Sequence, residues 1–214
     1  MNKEWSNLQK EVMLLLKKKD TFNEGINKLV DFRTMLFNEW YNAMHNLSKE
    51  NYTKQPFINK PGYESKTIGY SIYHVFRIED IVLNTLINKK EQIFFKDDYK
   101  NRMNSKIITT GNELVKEEIG EFSKWLDINY LWEYARSVYE ETNKWLLSIN
   151  YNDLKIVYSK LDEDRIKYTE TVNEKEYWLI EYWCGKNILG LIGMPFSRHW
   201  IAHLEASLRI KNKI

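Results

Sequence analysis

The sequence predicts an all-α protein, and three features support this prediction. Only 8 glycines and 3 prolines occur among 214 residues, which leaves few turns for a sandwich, a barrel or a Rossmann fold. Lysine, glutamate and leucine, all good helix formers, are abundant. Apolar residues recur at steps of three and four along several stretches, the period of a helix with one buried face. With 43% hydrophobic residues, the chain is expected to form one domain over residues 1–214, with two small domains as the alternative.

The first half of the chain is predicted to hold three helices and one long loop. A short helix over 4–18 is followed by a long one over about 23–47. Residues 49–66 are polar and contain Pro56, Pro61 and Gly62, which predicts a loop. A second long helix opens at 65–67 and runs to 86–88. Its apolar residues share a broad arc of the helical wheel: Ile68, Ile72, Val75, Phe76, Val82, Leu83 and Leu86.

The second half is predicted to hold a third long helix over about 130–148, after shorter helices between 90 and 127. Residues 150–176 are ambiguous, because 156–158 and 168–172 fit either short strands or irregular cover. An aromatic helix is expected over 176–183. Pro195 is either the first residue of the final helix or a kink inside a longer one.

Charge and cysteine content exclude several classes of partner. The net charge is +2 and the basic residues are dispersed, which is not the pattern of a nucleic-acid-binding protein. Cys184 is the single cysteine, so neither a disulfide framework nor a cysteine zinc site can form within one chain. No run approaches the roughly 20 apolar residues that span a membrane, and the apolar run at 12–16 is too short for a signal peptide. We therefore expect a soluble cytoplasmic protein with no nucleic-acid or membrane partner.

Two histidines near the C-terminus, His199 and His203, are the first candidate site. Four residues apart on a helix, they lie on one face, one above the other, where two imidazoles can hold one metal ion. The opposite face carries Arg198, Glu205 and Arg209, so both histidines are expected to point to the core. A structural pair of buried histidines is the alternative.

A third histidine, His74, lies near the core-facing side of the second long helix. Three imidazoles with an open position form a recognised zinc arrangement, and imidazole also suits nickel, copper or iron. Glu79 lies within the apolar arc of the same helix, where an unpaired carboxylate is costly. We expect Glu79 either to orient a ligand histidine or accept a proton at the metal, or to form a core pair with an arginine or tyrosine.

Other catalytic chemistries have weaker support. The chain contains no Gly-x-Gly-x-x-Gly motif, no phosphate-binding loop and no Gly-x-Ser-x-Gly nucleophile elbow. Cys184 paired with a histidine is a candidate nucleophile. Its aromatic setting favours instead a buried small hydrophobic residue.

The histidine pattern resembles that of a known family. A histidine in the stretch 74–80 of one long helix, and the pair His199 and His203 after the stretch 190–198, resemble the DinB-like superfamily. These damage-inducible-type proteins include members classed as metal-dependent hydrolases and bacillithiol- or mycothiol-dependent transferases. The resemblance implies an up-up-down-down four-helix bundle. Residues 90–127 would add short helices to it, and residues 150–173 an irregular segment before the last helix. The resemblance also implies a divalent metal, most often zinc or nickel, at His74, His199 and His203, and a homodimer.

Two functions follow as expectations. The first is a metal-dependent enzyme, a hydrolase or a low-molecular-weight-thiol transferase, acting on a small electrophile with Glu79 assisting. Its partners would be a small-molecule substrate and a thiol cosubstrate. The second is a non-catalytic stress-related or interaction protein on the same bundle, with a structural metal or none.

Overall fold

The computed structural model describes residues 2–60 and 65–214, and in those ranges it is helical without a strand. The α-helices are α1 (Lys3–Leu16), α2 (Phe22–Met44), α3 (Ile68–Asp80), α4 (Ile93–Lys96), α5 (Tyr99–Arg102), α6 (Glu117–Trp125), α7 (Ile128–Leu146), α8 (Lys160–Tyr168), α9 (Trp178–Cys184), α10 (Ile188–Gly193) and α11 (His199–Lys211). π-Helical segments lie at Ile81–Ile87 and Met194–Arg198, and 3₁₀ turns at Lys19–Thr21, Lys49–Thr53, Tyr151–Lys155 and Glu174–Glu176. The all-α prediction is confirmed for these residues.

The N-terminal hairpin is formed by α1 and α2. The Asn2 side chain caps α1 by accepting hydrogen bonds from the backbone N–H groups of Glu4 and Trp5. Gly25 lets the two helices approach closely, because a Cβ there would lie 3.0 Å from side-chain atoms of Leu15 and Leu16. This hairpin places the apolar face of α2 against the rest of the core.

Helix α3 is the central element, since every residue from Ile68 to Leu86 is buried. Thr67 caps it by accepting a hydrogen bond from the backbone N–H of Tyr70. The predicted single helix ending at 86–88 is confirmed in extent, but its last two turns are π-helical. α3 packs against α6, α7 and α11, and α2 packs against α7 and α11.

The C-terminal helical stretch is continuous from α10 through the π segment into α11. Pro195 lies inside this longer stretch and is not the first residue of the final helix. Proline has no N–H to donate and its ring crowds the carbonyl four residues back, so the wider π turn accommodates it. The Ser197 hydroxyl donates to the Ile192 carbonyl at 2.6 Å, a partner five residues back.

The ambiguous segment at 150–176 contains no strand, and most of it is helical, because α8 lies between the 3₁₀ turns at Tyr151–Lys155 and Glu174–Glu176. Residues 156–158 form neither helix nor strand, and α8 takes up 160–168. The predicted loop at 49–66 contains a 3₁₀ turn at Lys49–Thr53, while Pro61 and Gly62 lie outside the described residues. No helix among the described residues has the length and apolar character needed to cross a membrane.

Candidate metal centre

Three histidines converge from two helices. His74 comes from the middle of α3, and His199 and His203 lie one turn apart at the start of α11. The ring centroids are 5.0 Å apart for His74 and His199, 4.9 Å for His74 and His203, and 4.7 Å for the α11 pair. One ring nitrogen from each residue lies within 4.8 Å of the other two. The structure thus brings together the three histidines that the sequence singles out as candidate metal ligands.

A backbone carbonyl orients His74. The Nδ1 atom lies 2.8 Å from the Thr110 carbonyl oxygen. Because a carbonyl only accepts, Nδ1 carries the proton and the lone pair of the neutral ring is on Nε2. Metal-binding histidines commonly have this outer partner, which selects the tautomer and holds the ring.

The loop that supplies the carbonyl is held against α3 by side chains of the same helix. The Tyr73 hydroxyl lies 3.1 Å and 3.0 Å from the carbonyl oxygens of Ile107 and Thr109. The Arg77 guanidinium donates to the Ile108 carbonyl at 2.7 Å. Gly111 then turns the chain with φ of 75°, in the left-handed region that favours glycine. Successive carbonyls of this loop are therefore positioned by α3, which holds Thr110 in place over His74.

Burial keeps the α11 histidines neutral. It lowers the pKa of His199 well below its ordinary value, and the nearby His74 and Lys66 lower it further. The pKa of His203 is lowered by burial and by its proximity to His199, Lys66 and His74. Both imidazoles are consequently uncharged at pH 7, the form that coordinates a metal.

The hydrogen bonding of the pair fits a metal ion. The Nδ1 atoms of both His199 and His203 are buried and have no hydrogen-bond partner among the described residues. An unsatisfied buried polar atom costs about 1–3 kcal/mol. The three imidazoles form a neutral nitrogen donor set suited to zinc or nickel. The residues present therefore fit the divalent ion that the sequence analysis implied.

Two cavities open onto the histidines. The larger, with a volume of about 770 Å³, is called the cationic chamber because Lys66 and Lys116 line it. The smaller, about 320 Å³, is called the aromatic chamber because Trp178, Tyr182 and Trp183 line it. Five residues line both chambers: His74, Asn112, Trp178, Met194 and His199. A metal ion at the histidines would consequently face space large enough for a small molecule.

The hydrogen bonds of Glu79, which was expected first at the metal, go to an arginine and a tryptophan. Its carboxylate is fully buried, lines neither chamber and forms no hydrogen bond to a histidine among the described residues. Instead it accepts two hydrogen bonds from Arg33, at 2.6 Å and 3.2 Å. The Trp200 indole N–H donates to it at 2.7 Å. These contacts match the alternative expectation for Glu79, a core pair with an arginine.

This ion pair nevertheless positions the helix that carries two of the histidines. Arg33 on α2 also donates to the Phe196 carbonyl at 2.6 Å and to the Asn143 side chain on α7 at 2.7 Å. Trp200, which binds Glu79, lies next to His199 in sequence. The pair therefore ties α2, α3 and α7 to the beginning of α11.

Cys184 is a buried core residue and not a nucleophile of this site. It lies in a core cluster with Trp183 and Ile188. Burial raises its pKa to about 12, and the carboxylates of Glu163 and Asp162 add to the effect. A raised pKa means less thiolate at any given pH. The thiol is therefore protonated at pH 7 to 9, and no histidine was found to activate it among the described residues.

We expect the Cys184 thiol to react slowly in the folded protein. At pH 8, an aromatic disulfide reagent should react about 100-fold or more slowly with the native chain than with the same chain in concentrated guanidinium chloride. The measurement is the absorbance of the released thiolate over time. Equal rates for folded and unfolded protein would contradict this assignment.

Several site residues carry no sequence signal. The Thr110 carbonyl belongs to the backbone, which has the same chemistry at every residue. Lys66 and Lys116 are two among 32 basic residues, and only their place in the fold distinguishes them. Trp178 and Tyr182 were recognised as part of an aromatic helix, but their one-turn spacing did not reveal that they border a cavity.

Comparison with known proteins does not assign the chain to a family. No family model matches the sequence, and no curated protein matches it. The three-histidine site is therefore interpreted from its own geometry.

Proposed function

We propose that this protein is a metal-dependent enzyme that acts on a small electrophilic substrate, by hydrolysis or by transfer of a low-molecular-weight thiol. The observation that carries the proposal is the convergence of three imidazoles beside two cavities. The contacts of α3 with α7 and α11, and of α2 with both, also support a four-helix bundle of the DinB-like type.

His74, His199 and His203 would hold the ion. A divalent ion bound by three imidazoles with an open position acts as a Lewis acid and lowers the pKa of a coordinated water or thiol. The Thr110 carbonyl keeps His74 in the tautomer that presents Nε2. Burial keeps the α11 imidazoles neutral, so no proton has to leave them at pH 7.

The chambers favour a catalytic metal over a structural one. Structural zinc sites have four protein ligands and are closed, whereas catalytic sites keep a position for substrate or water. In the part of the chain that the structure describes, three ligands converge and the cluster borders both chambers. This arrangement supports the enzyme over the non-catalytic bundle protein.

The test is an activity screen on metal-loaded protein. We expect zinc- or nickel-loaded wild type to hydrolyse an activated aryl ester, or to join a small thiol to an aryl halide. His199→Ala should reduce the rate about 100-fold or more, since the ion would lose one of its ligands. The readout is absorbance of the phenolate or of the thioether product.

His45 provides a matched control for the same screen. It lies at the end of α2, stacked on Tyr41, and is not part of the cluster. His45→Ala should retain the wild-type rate. Activity that persists in His199→Ala, or after removal of metal by a chelator, would refute the proposal.

A further inference from the structure

The aromatic chamber is apolar apart from its shared wall. Trp178, Tyr182 and Trp183 come from one helix, α9, and Ile78, Leu179 and Pro195 complete much of the lining. Among the described residues that line it, none is a lysine, arginine, aspartate or glutamate. Such a space favours a flat apolar group, because aromatic rings stack and bury area against it.

The cationic chamber has the opposite electrostatic character. Lys66 and Lys116 line it, and no carboxylate does so among the described residues. Because two lysines contribute to its lining, this chamber favours an anionic group.

A polar bridge holds the indole where the two chambers meet. The Glu176 carboxylate accepts a hydrogen bond from the Trp178 indole N–H at 2.7 Å and one from the Asn112 side chain at 3.0 Å. Asn112 follows the loop that supplies the Thr110 carbonyl. The bridge thus links the α9 region to that loop, and Trp178, His74 and His199 all line both chambers.

We propose that the two chambers bind one elongated ligand, an aryl-substituted carboxylate, with its aromatic group in the aromatic chamber and its carboxylate in the cationic chamber. The atoms between the two groups then lie at the three histidines. This inference rests on the proposed function for its chemistry, because it specifies the substrate class of the same site. The binding preference itself depends only on the chamber linings.

The test uses a ligand series in which only one feature changes. ω-Phenyl carboxylates with one to five methylene groups are compared with the alcohols of equal length, by calorimetry on the full chain with and without added zinc. We expect one chain length to bind best, and its carboxylate to bind about five-fold more tightly than its alcohol in low salt. The preference should decrease as salt is raised, because solvent-accessible charges are screened.

Lysine variants test the anionic end. The double variant Lys66→Gln with Lys116→Gln should bind the carboxylate and the alcohol with about equal affinity. Its affinity for the alcohol should stay the same as that of wild type. Lys124→Gln, an exposed lysine of α6 paired with Glu121, is the matched control and should keep the preference. An unchanged preference in the double variant, equal binding of acid and alcohol by the wild type, or no saturable binding of any compound would overturn the proposal.

Tryptophan variants test the aromatic end. Trp178→Ala should reduce the affinity for both the acid and the alcohol by about ten-fold. Trp125→Ala removes a tryptophan of similar exposure, 52% against 53%, that lines neither chamber, and should change neither affinity. Equal effects of the two substitutions would overturn the assignment of the aromatic chamber.

The outcomes separate this inference from the proposed function. Carboxylate preference in zinc-free protein, together with no turnover in the activity screen, would leave this inference standing and defeat the proposed function. Turnover without any carboxylate preference would support the proposed function and overturn this inference. A preference that appears only with zinc would assign the carboxylate to the metal and overturn the role of the lysines.

Discussion

Replacing His203 with alanine is expected to abolish stoichiometric metal binding. Wild type incubated with zinc or nickel and then desalted should hold about one ion per chain, and His203→Ala should hold close to none, with affinity reduced by about 100-fold or more. The physical reason is that two remaining imidazoles leave half of a tetrahedral coordination sphere to water. Elemental analysis gives the stoichiometry, and competition with a chromogenic chelator gives the affinity.

The fourth histidine makes this experiment specific. The His45 Nδ1 atom lies 3.0 Å from the Tyr41 carbonyl oxygen at the end of α2, and the ring is outside the cluster. His45→Ala should bind metal as wild type does. A loss of metal binding in His203→Ala is then due to the position of His203 and not merely to the removal of one histidine. A wild type without metal, or an equal loss in His45→Ala and His203→Ala, would contradict the assignment of the site.

Breaking the buried ion pair is expected to have the largest effect on stability. Arg33→Leu should lower the free energy of unfolding by about 3–5 kcal/mol, because it leaves the Glu79 carboxylate charged and buried without its partner. It also removes the hydrogen bonds of Arg33 to Asn143 and the Phe196 carbonyl. Urea unfolding followed by circular dichroism measures the change.

An exposed pair on the same helix provides the comparison. Lys28 pairs with Glu11 at the surface of α2 and α1, with side chains 34% and 52% exposed. Lys28→Leu should change stability by less than about 1 kcal/mol. The double variant Arg33→Leu with Glu79→Leu should lose less than the sum of its single variants, since no unpaired charge remains. Equal losses for Arg33→Leu and Lys28→Leu would contradict this account.

The sequence was sufficient to predict the long helices, and their ends were the least accurate part. The third long helix was expected over 130–148 and is observed at Ile128–Leu146. Its apolar period is clear because one side faces solvent. The π segments were not predicted, since a local pattern does not show how a helix accommodates Pro195 inside a packed core.

Helix α3 shows where periodicity loses its information. All of its residues are buried, so every face contacts protein and no polar face marks the outside. The helical wheel placed Glu79 inward correctly but could not identify its partner. Arg33 lies on the buried face of α2 between Leu29 and Leu36. This second charge on an apolar face was the sequence signal that could have identified Arg33 as the partner of Glu79.

By itself, the sequence determined an all-helical chain and an inward pair of imidazoles one turn apart, because both follow from interactions within a few residues. The convergence of His74 on that pair, the carbonyl that orients it and the pairing of Glu79 with Arg33 were decided by tertiary structure. These contacts join residues 36 to 129 positions apart, and such distances depend on how whole helices pack. Local pattern thus identifies the candidate ligands, while helix packing determines which of them meet.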